Sequence, residues 1–250
     1  MRLDDFGQRS IEKIDFEDRV MTRLVALVED EAAIRENYED ALREQGYDVA
    51  TYGDRNSAMS AFNDKLPDMA IVDIGLGDEV EGGFDLCREL RQRSSSLPII
   101  FLTARDSDLD TISGLRLGAD GYLTKDISIA QVMARVTALF RRIDALKSGA
   151  PEGEVHRVGD LSIDVNSMRV EWKKKQIDLT LTEFWMLHSI AKIPGHVKSR
   201  DQLMQDANIF VDDGTVTSHI KRVRRKFEQV DAGFDSIETI YGMGYRWNRG

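Results

Sequence analysis

Three short apolar runs constrain this chain more than any other feature. Leu24–Val28, Met69–Ile74 and Leu97–Leu102 each have the length of a strand covered on both faces, and each is followed by a stretch of helical period. Amphipathic helices are expected over 31–45, 54–66, 84–93, 108–118 and 127–147, with weaker strands at 47–52 and 121–125. Strands that alternate with helices in this way need right-handed crossovers. The fold class that follows is α/β, a doubly wound five-stranded parallel sheet, complete by residue 143.

Beyond that point the pattern changes. Residues 144–156 mix glycine, serine, proline and charge as a linker does. Short β-like pieces follow at 158–165, 168–172 and 176–180, then helices at 181–193, 199–207 and 213–229, and a hairpin from Ser236 to Trp247. The spacing therefore predicts an extension over 1–22, an α/β unit over 23–143 and a second, α+β unit over 157–250. No apolar run approaches the ~18 residues of a membrane span, so no membrane partner is expected. The single cysteine, Cys87, excludes an intramolecular disulfide and a cysteine-based zinc site. It fits a reducing compartment, and the cytoplasm is the expected location.

Net charge is informative when split. Residues 1–150 carry 19 basic and 29 acidic residues, whereas 151–250 carry 15 of each. The acidity that would argue against nucleic acid thus belongs to the first half. The second half holds five bases in the six residues Lys221–Lys226.

In an open α/β sheet the ligand site lies at the carboxyl ends of the strands. The first strand ends in Glu29, Asp30 and Glu31, the third in Asp73, the fourth in Thr103 and Ala104, the fifth in Thr124 and Lys125. Crowded carboxylates repel one another unless a cation is present. Oxygen-only ligands at a sheet edge suit Mg²⁺, which keeps several waters and joins phosphate oxygens. A lysine and a hydroxyl on neighbouring strand ends would hold a phosphoryl group.

Residues 23–143 resemble the receiver domain of two-component response regulators, a flavodoxin-like fold. The matching pieces are Leu24–Glu31, Ile71–Ile74, Ile99–Ala104 and Gly118–Lys125. The resemblance implies that Asp73 accepts a phosphoryl group from a sensor histidine kinase. It implies that Glu29, Asp30, Asp73 and the Gly75 carbonyl surround Mg²⁺, that Thr103 and Lys125 bond the phosphoryl oxygens, and that Tyr122 is an aromatic switch. Asp120 and Arg135 are implied partners across a homodimer formed on activation. This sequence departs from the family at Asp126, where proline is usual, at Gly121, where a second acid is usual, and in the loop after Asp73, which is about two residues longer than usual and lacks the common proline.

The helix over 216–227 sets Val216, Ile220, Val223 and Phe227 in an apolar stripe about 60° wide. Ser218, Lys221, Arg222 and Arg225 lie opposite, with His219 and Arg224 at its flanks. An apolar anchor with a basic outer face fits a major groove. Thr180–Glu183 and Ser199–Gln202 match capping boxes at the starts of the two preceding helices. Together with Pro194–Leu203, Val211–Arg224 and Gly242–Arg246, these segments resemble the winged helix-turn-helix effector of the OmpR/PhoB family. The resemblance implies DNA contacts from Thr217, Ser218, His219, Lys221, Arg222, Arg224, Arg225 and the wing residue Tyr241, on direct-repeat half-sites of double-stranded DNA, with RNA polymerase as a further partner. Gly214 and Tyr241 stand where arginines are common. The longer Asp73 loop, Thr124–Asp126 and Pro194–Met204 also resemble a proteobacterial subgroup tied to dedicated sortase systems.

Two other readings compete. A haloacid-dehalogenase-like phosphatase needs a second aspartate two residues after the nucleophile, and Gly75 stands there. The expectation is therefore a phosphoacceptor regulator with at most slow self-dephosphorylation, and not an enzyme. The alternative within regulation is a phosphorylation-independent protein whose receiver serves only for dimerisation.

Overall fold

Both faces of the first sheet are covered, which is why its strands read as unbroken apolar runs. The computed structural model describes residues 22–105, 113–114, 117–149, 155–207 and 213–248. The first unit comprises β1 (Leu24–Val28), α1 (Ala32–Glu44), β2 (Asp48–Tyr52), α2 (Arg55–Asp64), β3 (Met69–Val72), α3 (Gly82–Arg93), β4 (Ile99–Thr103), β5 (Gly121–Thr124) and α4 (Ile129–Gly149). The sheet is parallel, in the order β2-β1-β3-β4-β5. Alternate residues serve opposite cores. Val25, Leu27, Ile100 and Leu102 pack with Tyr38 and Leu42 of α1 and Val132 and Val136 of α4. Ala26, Val28, Ile99 and Phe101 pack with Phe62 of α2 and Phe84, Leu86 and Leu90 of α3. Strand order reverses at β1, with β2 on one side and β3 on the other, and a crevice opens there at the carboxyl ends.

The second unit begins with an antiparallel sheet, β6 (Val155–Val158), β7 (Leu161–Asp164), β8 (Arg169–Trp172) and β9 (Lys175–Ile177). Three helices follow, α5 (Leu181–Ala191), α6 (Arg200–Ala207) and α7 (Asp213–Val230), then the hairpin β10 (Ile237–Ile240) and β11 (Gly244–Trp247). Its core closes on an aromatic group in which Phe227 stacks on Phe234 at 4.4 Å and Trp172 meets both rings and Trp247 edge-on.

Three expectations about elements shift. α4 continues to Gly149, into the stretch read as linker. The strand expected over 158–165 is present as β7, Leu161–Asp164, but it starts after a turn at Gly159–Asp160 that joins it to β6. Gly159 takes φ of 57° there, and β6 starts at Val155, inside the expected linker. The helix expected over 108–118 and the extension over 1–22 lie almost wholly outside the described residues.

The two units touch. Leu181, the first residue of α5, is buried in the core that α1 and α4 share with the first sheet, and Met168 and Trp185 pack against the cores of both units.

Candidate functional site

β1 and β3 end side by side, because Val28 pairs with Val72 and the Asp73 amide donates to the Val28 carbonyl at 2.9 Å. That register delivers the acids that follow each strand to one place. Carboxylate oxygens of Glu29, Asp30 and Asp73 lie within 4.8 Å of one another. Lys125, which follows β5, reaches across with its Nζ 2.7 Å from Glu29 and 2.6 Å from Asp73. Of the Asp73 oxygens, Oδ1 accepts from the Ile74 amide at 2.6 Å and Oδ2 faces the lysine.

The electrostatics follow from three acids facing one lysine. Burial pushes the Glu29 carboxyl above the ordinary range, and the charge of Asp73 adds to this against the opposing Lys125 hydrogen bond. Burial alone would lower the Lys125 ammonium, but its bonds to Asp73 and Glu29 hold it above the ordinary lysine value. The pocket therefore carries surplus negative charge on hard oxygen donors, and this donor set fits Mg²⁺.

The surroundings fix these groups. Arg35 of α1 donates to the carbonyls of Glu29 and Asp30 at 2.5 and 3.2 Å, clamping the acidic pair by its backbone. The loop after Asp73 folds back on itself through Leu76 and Glu79, and the Gly77 amide donates to Asp30 at 3.0 Å. Arg55 of α2 pins this loop by pairing with Glu79 at 2.7 Å and with Glu89 of α3 at 2.6 Å. The start of α3 then packs directly behind the nucleophile candidate. A Cβ on Gly83 would stand 2.0 Å from the Asp73 carbonyl oxygen, so only glycine fits. Thr103 is buried at the end of β4, its hydroxyl accepting from the Arg105 amide at 3.3 Å. Tyr122 is buried against Phe101 and its hydroxyl donates to the Arg105 carbonyl at 2.9 Å. Gly75 lies in the Asp73 loop with open space about its Cα.

In the second unit, Val216, Ile220, Val223 and Phe227 are all fully buried, as their stripe predicts. Lys221, Arg225 and Thr217 are exposed and Ser218 is half-buried. His219 is placed in the interior, not at the surface, and burial holds its imidazole down to about 3. Arg222 is turned inward to Glu183 of α5 at 2.8 Å and to His219 at 2.5 Å. Arg224 bonds the Ile237 carbonyl at 2.8 Å and the Thr239 hydroxyl at 2.8 Å, tying α7 to the hairpin. A second tie is the bond between the hydroxyls of Tyr245 and Thr217 at 3.1 Å. Lys198 and Tyr245 exchange backbone bonds at 2.8 and 2.9 Å, so closely that a Cβ on Gly244 would stand 2.0 Å from the Lys198 oxygen. Tyr241, at the hairpin tip, stands in solvent.

Asp120, expected on a dimer face with Arg135, is buried instead. It accepts from Arg91 at 2.8 Å, from the Ile99 amide at 3.0 Å and from the Thr182 amide of α5 at 3.0 Å. Arg135 is half-buried on α4.

Residues 25–137 match the model of the response regulator receiver domain, and 174–247 that of the C-terminal domain of transcriptional regulatory proteins. The transcriptional regulatory protein CreB of Escherichia coli K12 is 35% identical over 226 residues, covering 88% of this chain and 96% of the relative. The phosphate regulon transcriptional regulatory protein PhoB of the same strain is 35% identical over 234 residues, covering 91% and 99%. The chain belongs to the OmpR/PhoB family of response regulators. A RitR mutant structure superposes with a TM-score of 0.71 at 22% identity over 91% of this chain and all of that one, a likeness of fold. This response regulator thus joins a receiver domain to a winged-helix domain homologous to those of OmpR/PhoB transcriptional regulators. Among the described residues no helix is long and apolar enough to cross a membrane.

Geometry adds residues that the sequence did not single out: Arg35, Arg55 and Arg91. Glu183 was visible only as a capping residue, and its spacing from Thr180 gave no hint of its two cations.

Proposed function

We propose that this protein is a cytoplasmic transcription regulator switched by phosphorylation of Asp73. The observation that supports this reading best is the convergence of Glu29, Asp30 and Asp73 with Lys125 bridging two of them. Asp73 Oδ2 attacks the phosphorus of a sensor kinase phosphohistidine. The new P–O bond forms as the P–N bond breaks, and the imidazole leaves with its electron pair and takes up a proton. Lys125 moves from the carboxylate to a phosphoryl oxygen, and Thr103 donates to another. Glu29, Asp30, Asp73 and the Gly75 carbonyl are the residues that would hold Mg²⁺, whose charge, when bound, lets an anionic nucleophile approach an anionic donor. The reaction stops at the acyl phosphate apart from slow self-hydrolysis, so the protein is a phosphoacceptor and not an enzyme in the ordinary sense.

The added charge then biases the receiver toward a homodimer. A dimer sets two recognition helices on direct-repeat half-sites, and avidity compensates for a neutral effector domain. Lys221 and Arg225 of α7 face the duplex, while Arg222 and Arg224 hold the helix and wing in place. RNA polymerase is the downstream partner.

The test is incubation with acetyl phosphate and Mg²⁺, followed by mass mapping and DNA binding. One phosphoryl group on Asp73 is expected, with tighter duplex binding that Asp73→Ala abolishes. Equal oligomer mass and equal DNA affinity in wild type and Asp73→Ala would instead favour the phosphorylation-independent reading.

A further inference from the structure

The loop between Asp73 and α3 folds into a small hairpin of its own. Leu76 and Glu79 exchange backbone bonds at 3.0 and 3.2 Å around Gly77 and Asp78, and Gly77 takes φ of 63° to make the turn. Three contacts hold the hairpin. Leu76 is buried in the core that α2 and α3 share with the sheet. The Glu79 carbonyl accepts the Gly82 amide at 3.1 Å, at the start of α3. The Glu79 side chain pairs with Arg55 of α2 at 2.7 Å, and the same guanidinium reaches Glu89 of α3 at 2.6 Å.

The tip of this hairpin meets the acidic pocket. The Gly77 amide donates to Asp30 Oδ2 at 3.0 Å, and it is the only donor bonded to that carboxylate among the described residues. Glu29 and Asp73 are fixed otherwise, by Lys125 and, for Asp73, by the Ile74 amide. Asp30 is the exposed member of the three. Arg35 holds its backbone, so the loop alone orients its carboxylate. Groups that bond a metal ligand orient it, and losing one costs about 10–100-fold in metal affinity. With Oδ2 engaged, Asp30 is set to offer one oxygen. That mode suits Mg²⁺, which keeps its waters and demands regular geometry; Ca²⁺ accepts two oxygens of one carboxylate and a looser shell.

We infer that Arg55, which bonds to none of the three acids, is a positioning residue for the metal site: it latches the hairpin so that the Gly77 amide holds Asp30 in the one-oxygen arrangement that favours Mg²⁺ over Ca²⁺. The path runs from the guanidinium to Glu79, across the turn to Gly77, and from its amide to Asp30. A latch of this kind contributes little to folding. The side chains of Arg55, Glu79 and Glu89 are 25%, 39% and 36% exposed, and pairs so wetted are weak. Its loss therefore registers in metal binding and not in the fold.

The inference rests on the metal reading of the pocket, and two measurements on the full chain, with no phosphoryl donor, separate them. The first is amide exchange at Gly77 and Glu79 without metal. Arg55→Gln is expected to quicken both about tenfold while the metal-free melting temperature moves by no more than about 4 °C. The second is calorimetric titration with MgCl₂ and, separately, CaCl₂. Arg55→Gln is expected to weaken Mg²⁺ about tenfold and Ca²⁺ by about twofold at most. Glu79→Gln should reproduce both results, and the double variant should bind no more weakly than either single one, because the two side chains form one latch. Arg55→Lys keeps a cation opposite Glu79 and should recover most of the Mg²⁺ affinity. Were Arg55→Gln to unfold, Glu79→Gln decides. Equal Mg²⁺ affinity in wild type and variant, or Mg²⁺ and Ca²⁺ weakened by the same factor, overturns the inference, as does wild-type exchange at Gly77. Faster exchange at Gly77 in a protein whose wild type takes up no Mg²⁺ would overturn the metal reading, and the assignment with it.

Discussion

Two buried carboxylates, Glu29 in the receiver and Glu183 in the effector, sit in opposite electrostatic situations. Glu29 shares one lysine with Asp73 and has Asp30 nearby, and its carboxyl is pushed up, first by burial. Glu183 has no exposed surface either, yet it is held at about 2, because Lys226, Arg222 and their hydrogen bonds outweigh the burial that would raise it. The difference separates a working site from a structural one. Where acids outnumber cations, the fold keeps an unsatisfied charge that a metal ion and a phosphoryl group can complete. Where two cations meet one acid, the acid's charge is fully paired and is spent on fastening α5 to α7. A buried ion pair is thus not by itself a sign of chemistry; the local imbalance is.

Breaking the balanced site is expected to have the largest effect. Glu183→Ala strands the Arg222 and Lys226 cations and removes half of the capping box. A loss of about 3–5 kcal/mol is expected, the range for a buried pair deprived of one partner. All three tryptophans, Trp172, Trp185 and Trp247, lie in the effector. Denaturant titration followed by tryptophan fluorescence therefore reads that half selectively. A loss below 1 kcal/mol would mean that Glu183 is no keystone.

Acid sharpens the same contrast. The depressed His219 takes up no proton in the folded state until about pH 3, whereas the unfolded chain takes one up near 6.5. Its contribution is whole above 6.5 and is lost as pH falls toward 3, at a cost of about 2 kcal/mol by pH 5. The depressed Glu183 adds a second loss, present above its unfolded value of 4.5 and gone as pH falls through about 2. Glu29, with its raised value, runs the other way: its contribution is complete below 4.5 and lost as pH rises through its folded value. Stability measured from pH 7 down to 5 should fall in the tryptophan signal, and His219→Gln should flatten that fall. A pH-independent wild-type signal over this range would contradict the burial of His219.

The imbalanced site responds to cations. Lys125→Ala leaves Glu29 and Asp73 facing each other, and a loss of about 2 kcal/mol is expected without divalent metal. Mg²⁺ at a hundred times its Kd should stabilise the wild type by about 2.7 kcal/mol. Asp30→Asn should shrink that increment while leaving metal-free stability within about 0.5 kcal/mol, because Asp30 is exposed. Melting curves with and without Mg²⁺ check both.

The receiver pocket was legible because parallel strands put consecutive strand ends at one edge. Knowing that Glu29, Asp73 and Lys125 each stand at the carboxyl end of an expected strand was nearly enough to place them together. The α7 core stripe was legible for a similar reason, since one period orders Val216, Ile220, Val223 and Phe227. What the sequence hid were pairings with no periodicity. Asp120 with Thr182 lies across two domains, and Arg55 of α2 reaches both Glu79 in the loop after Asp73 and Glu89 of α3. His219 sits at the flank of the helical stripe, and only the packing of α5 decides that this flank is interior. β6 escaped notice because Val155–Val158 is too short for alternation to stand out beside Pro151 and Gly153.

The smallest effect probes the wing, where charge is balanced once more. Arg246 pairs with Glu238 at 2.6 Å and Arg224 is committed to the Ile237 carbonyl, so on the proposed reading the hairpin would face DNA with Tyr241 and Met243 at its tip, 99% and 60% exposed. Neutral residues release no counterions. Tyr241→Arg should therefore add one phosphate-type contact, tightening duplex binding a few-fold and steepening the salt dependence by about 0.9 in log K against log salt. Folding should be unaffected, since the side chain touches solvent alone. Titration of a random-sequence duplex at several salt concentrations gives the slope directly. An unchanged slope would place the wing tip away from the DNA backbone, and the recognition helix would then have to carry the electrostatics of binding through Lys221 and Arg225.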